Sequence, residues 1–456
     1  MEASLCISQC FSLVGEEINV RSNMSVISKA GTGFAVLAAS ALVLSGCAAA
    51  EEPAAEEPAA EEETTEESAA AEELSLKIGT ALPVTGSLAF LGPPEEAGVA
   101  LAAADINAAG AGLSIEVVYG DSGDLDNKAY ETEIPRLLNE GVSAIVGAAS
   151  SGVSLQFIDQ VTKEAGVLMM SPANTSTAFS DYDDAGLYFR TAPADFLQGE
   201  ALGTLLAQDG HETASMIVLN DSYGTTLRDE ATKAFEAAGG EILATPSVNQ
   251  GDTNLTSQIS EALAGDPDAL VVILFDETIT AVPEIVAAGF PGENLYFTDG
   301  NLSNYSDEFE AGLITGAKGT LPGPTDAAQE FKDAADAVWT EMGNPSLFEQ
   351  DVWAYSTESY DAVVLIALAA LAAGSTEPAD MAGKLQEVSG GSGGGEKCTS
   401  YAECADIING GGVADYDGYS GPVTFGDNGD PTQAQVGIYQ YGDDNTASPI
   451  DVVANF

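Results

Sequence analysis

The sequence predicts an α/β protein of two similar Rossmann-like lobes, each a parallel sheet wrapped in helices. Short apolar strands alternate with Ala-rich amphipathic helices through the folded part, which is the pattern of parallel sheets. The succession of strand, turn and helix then recurs at an offset of about 125 to 140 residues. From residue 74 onward the chain runs for roughly 380 residues, beyond the ~250–300 at which one core usually splits in two.

In chain order, Leu76–Leu82 is the first strand, and Pro83-Val84-Thr85-Gly86 turns it. The helix Glu95–Ala108 carries Val99, Leu101 and Ile106 at helical spacing. A strand at Ser114–Tyr119, a helix at Lys128–Glu140, a strand at Ala144–Gly147, a helix at Gly152–Ala165 and a strand at Val167–Met170 complete the first run. In the second run Ser215–Leu219, ending in Asn220–Gly224, matches the first strand and its turn. Ala269–Leu274 matches Ala144–Gly147, and Asn294–Phe297 matches Val167–Met170. The longest apolar run, Ala362–Gly374, is shorter than the ~20 residues a membrane span needs and is expected to be a buried core helix. Ligands of open parallel sheets bind beyond the carboxyl ends of the strands. Two lobes facing each other therefore place one cleft between them, closing through the crossings that join them.

The chain has 72 acidic and 13 basic residues, a formal net charge of −59. Eleven of the glutamates lie in residues 48–73, so most of the surplus belongs to the folded part. This balance excludes nucleic acid as a partner, because Lys and Arg must replace phosphate counterions. It equally excludes electrostatic attraction to anionic lipid, so membrane attachment requires a lipid. Self-repulsion keeps such a surface soluble and salt screens it, which suits a saline habitat.

The N-terminal region is informative around Cys47. The apolar run Gly33–Val43 suits a signal-peptide core, and Leu44-Ser45-Gly46-Cys47 resembles the bacterial lipobox, whose cysteine is lipidated and becomes the mature N-terminus. Residues 1–46 are then a signal peptide, and 47–73 a lipidated Cys47 followed by an extended acidic tether. An ordinary secretory signal cleaved nearby and a buried helix are the alternatives. Glu2, Glu16 and Glu17 fit a signal start poorly, whereas Met24 begins a short stretch with Lys29 before the apolar core, so the true start is expected at Met24. Cys6 and Cys10 precede the lipobox. Cys398 and Cys404, left over in a Gly-rich segment of an exported chain, are most simply a disulfide. A metal site is the alternative, but zinc asks for four ligands and the only histidine is His211. Neither acidic loop, Asp121–Asp126 or Asp427–Asp430, has EF-hand spacing; both read as solvated turns, and His211 as a surface residue.

The strand-end loops carry the chemistry. Gly147–Gly152, with Ser150 and Ser151, opens a helix, whose free N–H groups and dipole make an anion site. Ser171–Thr177 adds hydroxyls and carbonyls, and the second lobe contributes Tyr223, Phe275-Asp276-Glu277 and Asp299-Gly300. A carboxylate facing a helix start describes a zwitterion site. Each residue also has a plainer reading: serines before helices are commonly N-caps, Asp-Gly is commonly a turn, and Tyr223 could be a core aromatic. No Gly-x-Ser-x-Gly elbow is expected in the chain, and a Ser–His pair would depend on His211 alone, so catalysis is not expected.

At these residues the chain resembles the type I periplasmic binding proteins of branched-chain amino acid ABC transporters, over residues 74–456. The resemblance rests on Leu82-Pro83-Val84-Thr85-Gly86, Gly147 with Ser150-Ser151-Gly152-Val153, Ser171–Thr175, Phe189-Arg190-Thr191, Asp221–Gly224, Asp299-Gly300, Gly421–Phe425 and Asn428-Gly429-Asp430. It implies that Ser151 and Thr175 hold the α-carboxylate, with Ser150 and the backbone at Ala173 and Asn174 assisting. Asp299 would take the α-ammonium in a charge-assisted contact, and Tyr223 and Phe275 would pack on the ligand. Phe90 and Leu91 stand at the side-chain contact, Leu91 being the better aligned. One lobe would comprise 74–192 with 320–424, and the other 193–319 with 425–456, joined by a multi-strand hinge. The implied function is that of a monomeric, cofactor-free, non-catalytic lipoprotein passing an amino acid to a permease and its ATPase. The alternatives are a sensor of the same fold and a binder of an amide or small carboxylate.

Overall fold

The computed structural model describes residues 73–325 and 327–455; the signal segment, Cys47 and the tether up to residue 72 lie outside them. Strands β1 (Leu74–Ala81), β2 (Leu113–Val118), β3 (Ala144–Gly147), β4 (Leu168–Ser171) and β5 (Tyr188–Arg190) form a parallel sheet in the order β2-β1-β3-β4-β5. Between them run α1 (Gly92–Ala109), α2 (Tyr130–Asn139) and α3 (Ser151–Asp159). The second sheet holds β6 (Thr213–Leu219), β7 (Glu241–Ala244), β8 (Ser247–Val248), β9 (Ala269–Ile273), β10 (Leu295–Phe297) and β11 (Lys318–Pro322), with helices α4 (Asp195–Gln208), α5 (Ser222–Ala237), α6 (Thr256–Ala262) and α7 (Thr278–Ala287).

The chain then returns to the first lobe with α8 (Gln329–Glu341), α9 (Ser356–Ala373), α10 (Pro378–Val388) and α11 (Tyr401–Asn409), whose apolar residues share one core with α1 and β1. A small sheet, β12 (Glu396–Cys398), β13 (Ala414–Gly418) and β14 (Gly421–Pro422), sits beside α11, and Cys398 and Cys404 are joined by a disulfide there. Finally β15 (Ala434–Tyr441) and β16 (Ala447–Asn455) extend the second sheet by antiparallel pairing with β11. The two lobes are therefore linked by segments 191–194, 323–328 and 423–433. The expected change of lobe at residue 320 falls inside β11, which stays in the second sheet by pairing with both β10 and β15.

Helix α9 carries the first lobe's core. Its residues Ala362–Ala370 are fully buried, and a helix apolar on every face is one enclosed by protein. It starts six residues before the expected apolar run because its polar first turns are also buried. Asp361 accepts from Tyr416 Oη (2.6 Å), Ser420 N (2.7 Å) and Ser420 Oγ (2.5 Å), tying the helix to the β13–β14 turn. At Gly98 a Cβ would stand 2.2 Å from the Ser356 carbonyl oxygen, so only glycine permits α1 to approach α9 this closely.

Two surface expectations are corrected by packing. Asp430 is no solvated turn residue: its carboxylate meets the fully buried Arg190 at 2.6 Å. His211 is half-buried, with Nε2 2.8 Å from Tyr296 Oη. Residues Gly390-Gly391-Ser392-Gly393-Gly394 do spell Gly-x-Ser-x-Gly, but they form a turn after α10 in which Ser392 is exposed, not a strand-to-helix elbow.

Candidate functional site

The carboxyl ends of β1, β3 and β4 in one lobe and of β6, β9 and β10 in the other converge on a single interlobe pocket. On the first lobe Ser150 caps α3, its Oγ accepting from Val153 N at 3.3 Å. Ser151 follows at the first helical position, and its Oγ accepts from Ser176 N at 3.3 Å. The N-cap is therefore Ser150 and not Ser151, and both serines line the cavity. Ala173 also lines it.

Asn174 and Thr175 work behind the pocket. Asn174 is fully buried; its Nδ2 donates to the carbonyls of Ala148 (3.0 Å) and Ala149 (2.8 Å), and its Oδ1 accepts from Tyr188 Oη (2.9 Å). Ser171 Oγ adds a 2.6 Å bond to the Ala148 carbonyl, so the two strand-end loops are laced together. The buried Thr175 hydroxyl is directed at Asp195. Neither side chain lines the cavity: that of Asn174 satisfies buried carbonyls of the scaffold, and Thr175 Oγ1 is buried with no hydrogen-bond partner among the described residues. Leu91 lines it and is buried, whereas Phe90 is only half-buried and packs on the second lobe's core outside the cavity.

The second lobe supplies the acceptor. Asp299 is 5 % exposed, at the end of β10. Its Oδ1 accepts from Gln198 Nε2 (2.9 Å) and Tyr223 Oη (2.8 Å), and its Oδ2 from Tyr355 Oη (2.8 Å). Tyr223 and Phe275 stack at 5.4 Å between centroids and form the aromatic wall. Asp276 is exposed, while Glu277 turns to the backbone N–H groups of Gly251 (2.8 Å) and Phe275 (3.2 Å), so neither carboxylate enters the pocket. Burial raises the Asp299 carboxyl above its ordinary range, and a cation beside it would reverse that.

Tyr355, Gln198 and Leu88 were not legible in the sequence, whereas Ala149 lies in the Gly147–Gly152 loop that was. Tyr355 comes from the far return of the chain, at a left-handed φ of 60° before α9. Gln198 reaches Asp299 from α4, and no motif marks either residue. Cross-lobe bonds accompany the pocket: Gln250 accepts from Leu125 N at 2.9 Å and donates to Ser87 Oγ, and Thr226 Oγ1 donates to Ser176 Oγ at 3.3 Å.

Burial raises the carboxyls of Glu96, Asp195, Asp221 and Glu358 to about 7 and that of Asp361 to about 6. In the unfolded chain such groups ionise near pH ~4. The folded state thus holds the extra protons in between, and the stability they confer is present in full below that range and lost as pH rises towards 7. The thermal midpoint should fall between pH 5 and pH 8, read by differential scanning fluorimetry at fixed salt; a midpoint rising over that window would contradict these protonation states.

A pocket between two like α/β lobes, with a helix start on one side and a buried carboxylate on the other, is the architecture of a solute-binding protein. The chain belongs to the periplasmic binding protein family, which it matches over residues 75–444. It has the type I fold of that family. It is similar to Leu/Ile/Val-binding protein homolog 2 of Brucella abortus (strain 2308), 28% identical over 324 residues that cover 68% of this chain and 82% of that one. It is also similar to BasB, a chemotactic signal transduction system substrate-binding protein of Halobacterium salinarum, 25% identical over 358 residues covering 76% and 82%. Among solved structures, the leucine binding protein LivK of Thermotoga maritima shares the fold with a TM-score of 0.66 at 19% identity, over 83% of this chain and 98% of that one.

Proposed function

We propose that this protein captures an α-amino acid between its lobes outside the cytoplasmic membrane, where Cys47 anchors it by a lipid, and delivers it to the permease of an ABC importer. The observation that carries the reading is the placement of Asp299 and the start of α3 on opposite walls of one pocket. The helix start and the Ser151 hydroxyl suit an α-carboxylate, and Asp299 suits an α-ammonium. An amide or a simple carboxylate would leave Asp299 without a cationic partner, which disfavours them.

A fluorimetric screen tests this. L-amino acids should raise the melting midpoint, since a ligand at about 1,000 times its Kd stabilises by ~4 kcal/mol. Matched amides, amines and carboxylates lacking one end of the zwitterion should not. Stabilisation by carboxylates alone would sink the zwitterion site. The similarity to BasB favours a second reading, a receptor that passes occupancy to a signalling partner. Amino-acid uptake by vesicles carrying the cognate permease separates the two.

A further inference from the structure

The interlobe pocket is almost closed, at about 10 Å³, which is room for one water. Beside it, at the 323–328 crossing, lies a second cavity of about 390 Å³, within the range of ligand sites. Tyr355 is the one residue that walls both. Its hydroxyl occupies Asp299 Oδ2 at 2.8 Å, where a ligand ammonium would bind. Its backbone holds a left-handed φ of 60°, a strained conformation for an aromatic residue. The larger cavity is lined by Leu302 and Leu321 of the second lobe, by Trp353 and Tyr439, and by Asn304. The charged Lys332, Asp351 and Glu358 also line it, with Lys332 over one face of Trp353.

We infer that the bound amino acid carries a long, ring-bearing side chain that extends past Tyr355 into this hinge cavity. The inference rests on the amino-acid reading above and names its substrate class. A ligand ammonium at Asp299 Oδ2 competes with the Tyr355 hydroxyl for that oxygen, and rotation of the ring out of the seam joins the two spaces. The two spaces then form one chamber running from the α3 start to Trp353. An isobutyl side chain would leave most of that chamber unfilled and forfeit its packing contacts. A ring with a polar tip fills it, stacking on Trp353 or Tyr439 and reaching Asn304.

Calorimetry with L-tyrosine, L-phenylalanine and L-leucine tests this on the wild-type chain and on Leu321→Trp, which fills the hinge cavity. The wild type should bind the ring-bearing amino acids at least about tenfold more tightly than L-leucine. Leu321→Trp should abolish that preference, bringing the Kd of the ring-bearing amino acids to or above that of L-leucine. L-tyrosine should also alter the emission of Trp353, and a Trp353→Phe control assigns the signal, since Trp339 is the only other tryptophan. Equal or tighter binding of L-leucine by the wild type overturns the extended chamber and leaves the amino-acid reading standing. Binding of none of the three overturns both. The wild-type comparison decides the matter even where Leu321→Trp does not fold.

Discussion

Asp299→Ala should cost about 2–5 kcal/mol of amino-acid affinity, the scale for removing one partner of a buried charged contact. The substitution deletes the acceptor shared by Gln198, Tyr223 and Tyr355, whose bonds to it are 2.8–2.9 Å long. It leaves those donors, and the ligand ammonium, without a carboxylate inside a water-poor pocket. Asp299→Asn keeps the shape but not the charge, so it should also weaken binding. Titration calorimetry of both variants measures the effect. Wild-type affinity in Asp299→Asn would assign the residue a shape role, and wild-type affinity in Asp299→Ala would end the zwitterion site altogether.

Arg190→Met should lower the free energy of unfolding by about 3–5 kcal/mol, the usual consequence of breaking a buried ion pair from one side. The Arg190 side chain is fully buried and that of Asp430 is 13 % exposed. The guanidinium also donates to the carbonyls of Asn174 (3.2 Å) and Ser176 (2.8 Å) and to Ser180 Oγ (3.0 Å). One side chain thus pins the 174–180 loop behind the pocket to the 423–433 crossing. Loss of stability should therefore come with weaker ligand binding, because that loop follows Ala173 of the pocket and its Ser176 N–H bonds the pocket residue Ser151. Urea denaturation gives the first quantity and calorimetry the second. Arg190→Met/Asp430→Leu should recover part of the stability, since replacing the whole pair with apolar groups removes the orphaned charge. A single variant within about 1 kcal/mol of wild type would show that the pair contributes little.

Much of the fold was legible because its cause is local. Strands such as β3 (Ala144–Gly147) are short apolar runs between turn signals, and their period is written in the chain. Ser150 was recognisable as a helix start, and it accepts the backbone N–H of Val153 in the following turn. Strand-end position then singled out Ser151, Ala173, Tyr223, Phe275 and Asp299, all of which line the pocket. Asn174 and Thr175 stood in the same loop, but whether a side chain faces a cavity or the scaffold depends on neighbours far away in sequence. Here those neighbours are Tyr188 and Asp195.

What the sequence determined by itself was class: alternating elements, an internal repeat, a charge balance that excludes polyanions, and strand-end loops of complementary chemistry. Those properties follow from residue type and spacing, which short-range forces read directly. The tertiary structure alone decided the far partners. It brought Tyr355 onto Asp299, 56 positions apart in sequence, and buried Arg190 against Asp430, 240 apart. It also placed the hinge cavity behind the pocket. Such contacts form only when the chain crosses between lobes, and burial, not local propensity, selects which polar groups must meet.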